Sequence, residues 1–152
     1  MSILNKIINN DVRESYCSYE VSKLLKEKGF AVITRGSFTM YLKTRRSDNP
    51  SFRMKKGELE LSSDYMVNNG SGDYSNENYY QCSRPTHQLA IDWINLNFGI
   101  WIHADRIYDN LRYTYCIELE NEFTSQYSRE HFGSPQKAIE AALLHTLKNI
   151  IP

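Results

Sequence analysis

Cys82-Ser-Arg-Pro-Thr-His-Gln-Leu-Ala-Ile-Asp-Trp-Ile-Asn-Leu-Asn-Phe-Gly-Ile100 contains a helix start, a helix body, a stop and the opening of a strand. Ser83 or Thr86 is the N-cap, because a hydroxyl at that position accepts a hydrogen bond from a first-turn N–H that the helix leaves unpaired. Pro85 falls in or just before the first turn, where a missing N–H is no loss. Leu89, Ala90, Trp93 and Ile94 recur at helical spacing and form one apolar stripe. Gly99 stands just past the end, where a left-handed residue closes a helix. The chain beyond Gly99 reads as sheet packed on this helix.

Upstream, residues 1–12 read as an N-terminal arm. Ser18 to Phe30 then predicts a helix of about three turns. Ser18 caps it and Glu20 places negative charge in the first turn. Val21, Leu24 and Leu25 form its stripe, Lys26 and Lys28 suit the C-terminal dipole, and Gly29 ends it. Phe30 to Thr34 reads as a strand, Arg35-Gly36 as a two-residue turn, and Ser37 to Lys43 as the returning strand. Phe38, Met40 and Leu42 share one face of it. A polar connection around Asn49-Pro50 leads to a short strand at Glu58-Leu-Glu-Leu61. Residues 62–82, rich in Ser, Asn, Asp, Gly and Tyr, read as a long polar loop.

Downstream, Ile100-Trp-Ile-His-Ala104 alternates strictly, and the chain turns near Tyr108-Asp109-Asn110. Leu111 to Leu119 carries the clearest strand pattern. Leu111, Tyr113, Tyr115, Ile117 and Leu119 face one way; Arg112, Thr114, Cys116 and Glu118 face the other. An edge strand is expected near Tyr127–Phe132. Ser134 and Pro135 open a last helix that runs to about Asn149, with Ala138, Ile139, Ala142, Leu143, Leu147 and Ile150 on its buried side. The fold class is α+β, an antiparallel sheet with about three helices in the order α-β-β-(β)-loop-α-β-β-(β)-α. The 152 residues read as one domain of two αββ-like halves joined by the 62–82 loop.

Composition narrows the function classes. Hydrophobic residues make up 41% and charged residues 24%, both ordinary for a globular protein. Lys plus Arg equals Asp plus Glu, 18 each, so a general polyanion or membrane binder, which carries a basic excess, is disfavoured. The sequence has no run of about 18 apolar residues and no signal-peptide core, so a cytoplasmic location without a membrane partner is expected. The three cysteines are widely spaced and form no disulfide framework. The 11 tyrosines suit half-buried strand faces.

Two surfaces carry candidate chemistry. The first is the sheet face opposite the helices, with Trp101, His103, Arg112 and Thr114; an exposed Trp beside a His and an Arg makes a protein-binding surface. The second is the basic segment Lys43, Arg45, Arg46, Arg53, Lys55 and Lys56, opposed within it only by Asp48 and interrupted by Phe52. Such clusters bind phosphates, and an aromatic ring among them stacks on unpaired bases. Cys82 and His87 lack the further close ligands of a structural zinc site. Asn68-Asn-Gly-Ser-Gly-Asp73 lacks both the P-loop lysine and the EF-hand ligand series. No catalytic motif and no cofactor site is read from the chain.

Tyr16 to Phe30, Cys82 to Ile94 with Gly99-Ile-Trp-Ile-His103, and Ala138 to Ile151 together resemble a group of short uncharacterised proteins of phages, prophages and mobile elements in gut Bacteroidetes. The resemblance implies a bacterial or phage origin and brings no catalytic residues. Residues 86–150 also share the helix–strands–helix order of double-stranded RNA-binding domains, without that family's adjacent lysine pair. The expected function is therefore a non-enzymatic interaction module that binds a host or phage protein through the Trp101 face. The alternative is a nucleic-acid-binding accessory protein that uses residues 43–56. A homo-oligomer is compatible with either.

Overall fold

The structure, a computed structural model, describes residues 15–108, 111–122 and 124–152. The arm expected over 1–12 and the Asp109-Asn110 turn lie outside the described residues. Three helices form where their caps predict: α1 Tyr19–Glu27, α2 His87–Phe98 and α3 Pro135–His145. Ser18, Thr86 and Ser134 accept hydrogen bonds from the backbone N–H groups of Val21, Leu89 and Lys137 at 3.2, 3.1 and 3.2 Å. Gly99 closes α2 with φ +65°, the left-handed stop that a residue lacking Cβ adopts freely. A π-helical turn, Thr146–Ile150, continues α3.

The strands are β1 Thr34–Tyr41, β2 Leu59–Val67, β3 Tyr79–Ser83, β4 Ile100–Ile107, β5 Arg112–Leu119 and β6 Thr124–Tyr127. All ladders are antiparallel, and the class is α+β. The strands form two three-stranded sheets, β2-β1-β3 and β4-β5-β6. Each half is a helix followed by three strands, and α3 closes the chain. The edge strand expected near Tyr127–Phe132 begins earlier, at Thr124, and Phe132 makes only an isolated bridge to Tyr113.

Two expectations in the first half are corrected. Arg35-Gly36 is not a hairpin turn; it lies within β1. Arg35 pairs with Met66 and Ser37 with Ser62, so Gly36 alone faces residues 63–65 of β2, a bulge. Gly36 has φ +102°, and a Cβ there would stand 2.5 Å from the Ser62 carbonyl oxygen. A glycine flanked by alternating residues marks a bulge as readily as a turn. Residues 62–82 are not one loop either. β2 runs on to Val67 and β3 occupies Tyr79–Ser83, which shortens the connection to residues 68–78. The missed strand ends carry no apolar alternation: in β3 the polar Gln81 and Ser83 are buried on one face and Cys82 on the other.

Lys26 of α1 ties this connection down. Its ammonium donates to the Asp73 carboxylate and to the Gln81 carbonyl at 2.7 Å, and lies 4.3 Å from the Tyr80 ring centre. The main core gathers Val21, Leu25 and Phe30 from the first half with Ala90, Ile91 and Ile94 of α2, Ile100, Ile102 and Ile117 of the second sheet, and Ala142, Leu143 and Leu147 near the C-terminus. Phe30, Trp93 and Phe98 add a chain of edge-to-face rings with centres 5.3 and 5.5 Å apart, the geometry that aromatic quadrupoles favour. No described helix is long and apolar enough to cross a membrane.

Candidate functional site

Between β1 and β2 the chain leaves the sheet and returns to the same place. The Tyr41 N–H donates to the Glu58 carbonyl at 3.0 Å, and the Gly57 N–H donates to the Tyr41 carbonyl at 2.8 Å. Farther out, Arg45 and Met54 exchange backbone hydrogen bonds of 2.9 and 3.1 Å. The tip is a single 3-10 turn, Pro50–Phe52, in which the Asn49 side chain accepts from the Ser51 N–H at 3.0 Å. Residues 42–57 therefore form a narrow arm closed by one antiparallel bridge rather than an unstructured connection. Phe52 ends this turn and Met54 makes the bridge.

All six basic residues predicted in this segment lie on the arm. Lys43 is 3.3 Å from Glu77 across an exposed gap. Arg53 donates through Nε to the Ser47 carbonyl at 2.7 Å, which braces one side of the arm against the other. Arg45, Arg46, Lys55 and Lys56 make no ion pair among the described residues. Arg45, Arg46, Arg53 and Lys55, together with Asp48 and Glu58, line an open cleft of about 900 Å³. Phe52 at the tip is 57% exposed. Because the whole chain is neutral, this cationic arm implies an anionic excess on the rest of the molecule.

The second surface is the outer face of β4-β5-β6. Cross-strand partners share a face, so Trp101 lies beside Glu118, His103 beside Cys116, Asp105 beside Thr114 and Ile107 beside Arg112. Trp101, His103, Arg112 and Thr114 thus share one face, as expected, while Ile100, Ile102 and Ile117 point into the core. Trp101 is 51% exposed. The Thr114 hydroxyl is hydrogen-bonded at 2.5 Å to that of Ser128, so it braces the sheet edge rather than facing outward unengaged. Cys116 is fully buried although it lies on this open face. Burial raises its thiol pKa, and Tyr127 is its partner across β5–β6.

This face holds a grouping that the linear sequence conceals. One donor atom each from His103, Cys116 and Glu118 lie within 4.8 Å of one another, and no other His, Cys and carboxylate cluster of three or more occurs among the described residues. The signal was present in two strands that the sequence does show. Only the register, which pairs positions 103 and 116, was needed to find it.

The remaining motifs serve structure. Cys82 is buried in β3, where burial pushes its thiol up to about 12. His87 is engaged elsewhere, with Nε2 2.7 Å from a Glu140 carboxylate oxygen. In the glycine-rich turn, Asn69 donates through Nδ2 to the Phe30 carbonyl at 2.7 Å, and its Oδ1 accepts from the Ser83 N–H at 2.8 Å. Its polar side chain is spent on the protein itself. Comparison with known proteins returns no matching family model, no matching curated protein and no matching solved structure.

Proposed function

We propose that this chain is a non-enzymatic binding module that holds single-stranded nucleic acid on the arm between β1 and β2, in the service of a phage or mobile element. The observation that carries the reading is the arm itself. It is an ordered projection with four basic side chains in no ion pair among the described residues and a half-exposed phenyl ring at its tip. Lys and Arg side chains in that state exchange bound counterions for phosphates. An exposed ring offers a stacking platform for any base, worth about 1–3 kcal/mol. A narrow arm that presents both within a few residues fits a flexible single strand better than the shape-defined groove of a duplex.

Each phosphate contact on a single strand gives a slope of about −0.7 in log affinity against log salt. Those four cations with Arg53 make about five contacts and imply a slope of about −3.5, or roughly a hundredfold weakening between about 50 and 200 mM salt. The test is fluorescence anisotropy of a labelled single-stranded oligonucleotide over that range. The triple variant Arg45→Ala, Arg46→Ala, Lys55→Ala should flatten the slope by about 2, three contacts at about 0.7 each, and Phe52→Ala should weaken binding without changing the slope. Binding that the triple variant leaves unchanged overturns the reading. Capture of one discrete protein from nuclease-treated lysate, lost in Trp101→Ala, with no oligonucleotide binding, would replace it with a protein-binding function for the outer sheet face. The half-exposed Trp101 supports that second reading.

A further inference from the structure

We infer that His103, Cys116 and Glu118 form a zinc-binding site on the outer face of the second sheet. The site follows from the register of β4 and β5. His103 is directly opposite Cys116, and Glu118 lies two residues farther along the same face of β5. A two-residue step is the spacing at which strand side chains return to one face. The three donors converge within 4.8 Å, and Cys116 Sγ is 4.0 Å from a Glu118 carboxylate oxygen.

Donors around a tetrahedral zinc stand about 3.5 Å apart, given bonds of about 2.0–2.3 Å. Rotation of the partly exposed His103 and the exposed Glu118 through about 1 Å closes the difference, whereas the buried thiol on the strand is the fixed point. One thiolate, one imidazole and one carboxylate are the ligand types that zinc accepts together, and the sulfur disfavours magnesium and calcium. Asp105, also on this face, has Oδ2 3.3 Å from Nε2 of His103. A carboxylate behind a ligating imidazole orients the ring and strengthens it as a donor. With Nε2 turned to Asp105, Nδ1 is the ring nitrogen left for the metal.

Three protein donors leave a fourth position, which faces solvent and takes water. A bound ion joins β4 to β5 across this face, in addition to their ladder. The site is separate from the arm and does not depend on nucleic-acid binding.

The test uses the full chain, stripped of metal under reducing conditions and titrated with zinc and then with cobalt. One equivalent of zinc should bind, and cobalt should give the charge-transfer absorption of a cobalt–thiolate bond. Cys116→Ser should abolish that absorption, and His103→Ala should weaken zinc by more than about 100-fold, beyond what the loss of a ligand's hydrogen-bond partner causes. Asp105→Asn should weaken it by about 10–100-fold. Should Cys116→Ser fail to fold, Glu118→Gln at an exposed position carries the test, with an expected loss of at least tenfold. Absence of the cobalt–thiolate band, or stoichiometric zinc binding that neither His103→Ala nor Glu118→Gln weakens, overturns the site.

Discussion

Replacing Glu140 with alanine should destabilise the protein strongly for a partly exposed polar side chain, because one carboxylate fastens three helices together. Its Oε1 accepts from the backbone N–H of Ser18, the cap of α1, at 3.0 Å. Its Oε2 is 2.7 Å from Nε2 of His87, the first residue of α2. A carboxylate has no hydrogen to give, so Nε2 carries the proton. Glu140 itself lies on α3, and the positive ends of two helix dipoles favour its charge. The side chain is 28% exposed and that of His87 only 11%. Hydrogen bonds to charged groups contribute about 1.5–3 kcal/mol each when buried, and partial exposure argues for the lower end. Glu140→Ala should therefore cost about 3 kcal/mol and leave the His87 N–H without a partner. With a urea m-value of about 2 kcal/mol/M, the midpoint falls by about 1.5 M.

The pH dependence gives an independent check. Burial alone would raise the Glu140 pKa, but hydrogen bonds from His87 and Ser18 outweigh it and hold it below the ordinary glutamate value. A carboxyl depressed in the folded state stabilises at every pH above its unfolded pKa and loses that contribution as pH falls through its folded pKa. The stability gap between wild type and Glu140→Ala should thus be full near neutrality and shrink below about pH 4, the range of an unfolded glutamate. A loss under about 0.5 kcal/mol at neutral pH, well short of the hydrogen-bond range, or a gap constant down to acid, would refute the assignment.

Two further outcomes test the fold. Gly36→Ala forces a Cβ onto the Ser62 carbonyl at a positive φ, which should cost about 2 kcal/mol and about 4–8 °C in melting temperature. Gly29→Ala, also at positive φ but with no atom within 4 Å of its new Cβ, should lose only about half as much by the same calorimetric measurement. Cys17 and Cys82 are buried, with their thiol pKa values raised chiefly by burial. They should resist a disulfide-exchange reagent at about pH 8 in the native protein and react on unfolding; complete labelling of the native chain within minutes would contradict the packing around them.

Much of the helical framework was legible because its signals are local. Ser18, Thr86, Ser134 and Gly99 each act on groups within four residues, and each does what its type predicts. β4 and β5 were legible because one face is buried and the alternation is strict. The first sheet was harder. Gly36 has the same local appearance in a turn and in a bulge, and only β2, more than twenty residues away, decides between them. The end of β2 and all of β3 lie in polar sequence that alternation cannot mark. At the candidate sites, the cations of the arm were legible as composition, but the backbone pairing of Arg45 with Met54 that orders them was not. His103 and Cys116 are brought together by the β4–β5 register, and His87 and Glu140, and Lys26 and Asp73, by packing between distant segments, for which no single window of sequence holds a signal.

The arm leaves and rejoins the sheet through backbone hydrogen bonds at Tyr41 and Gly57–Glu58, with Leu42 donating to the Asn78 carbonyl beside them. The buried core therefore registers little of the residues beyond Lys43, since the contacts of Leu42 and Lys43 run to the neighbouring Glu77–Asn78 connection. The entropic cost of a longer excursion grows only with the logarithm of its length, about 0.6 kcal/mol per doubling. Residues 42–57 form, in effect, an exchangeable cassette. Its length, charge and tip residue are free to drift under selection for a new ligand while the two sheets keep their stability, so in homologous chains variation should concentrate here and leave the helix caps unchanged.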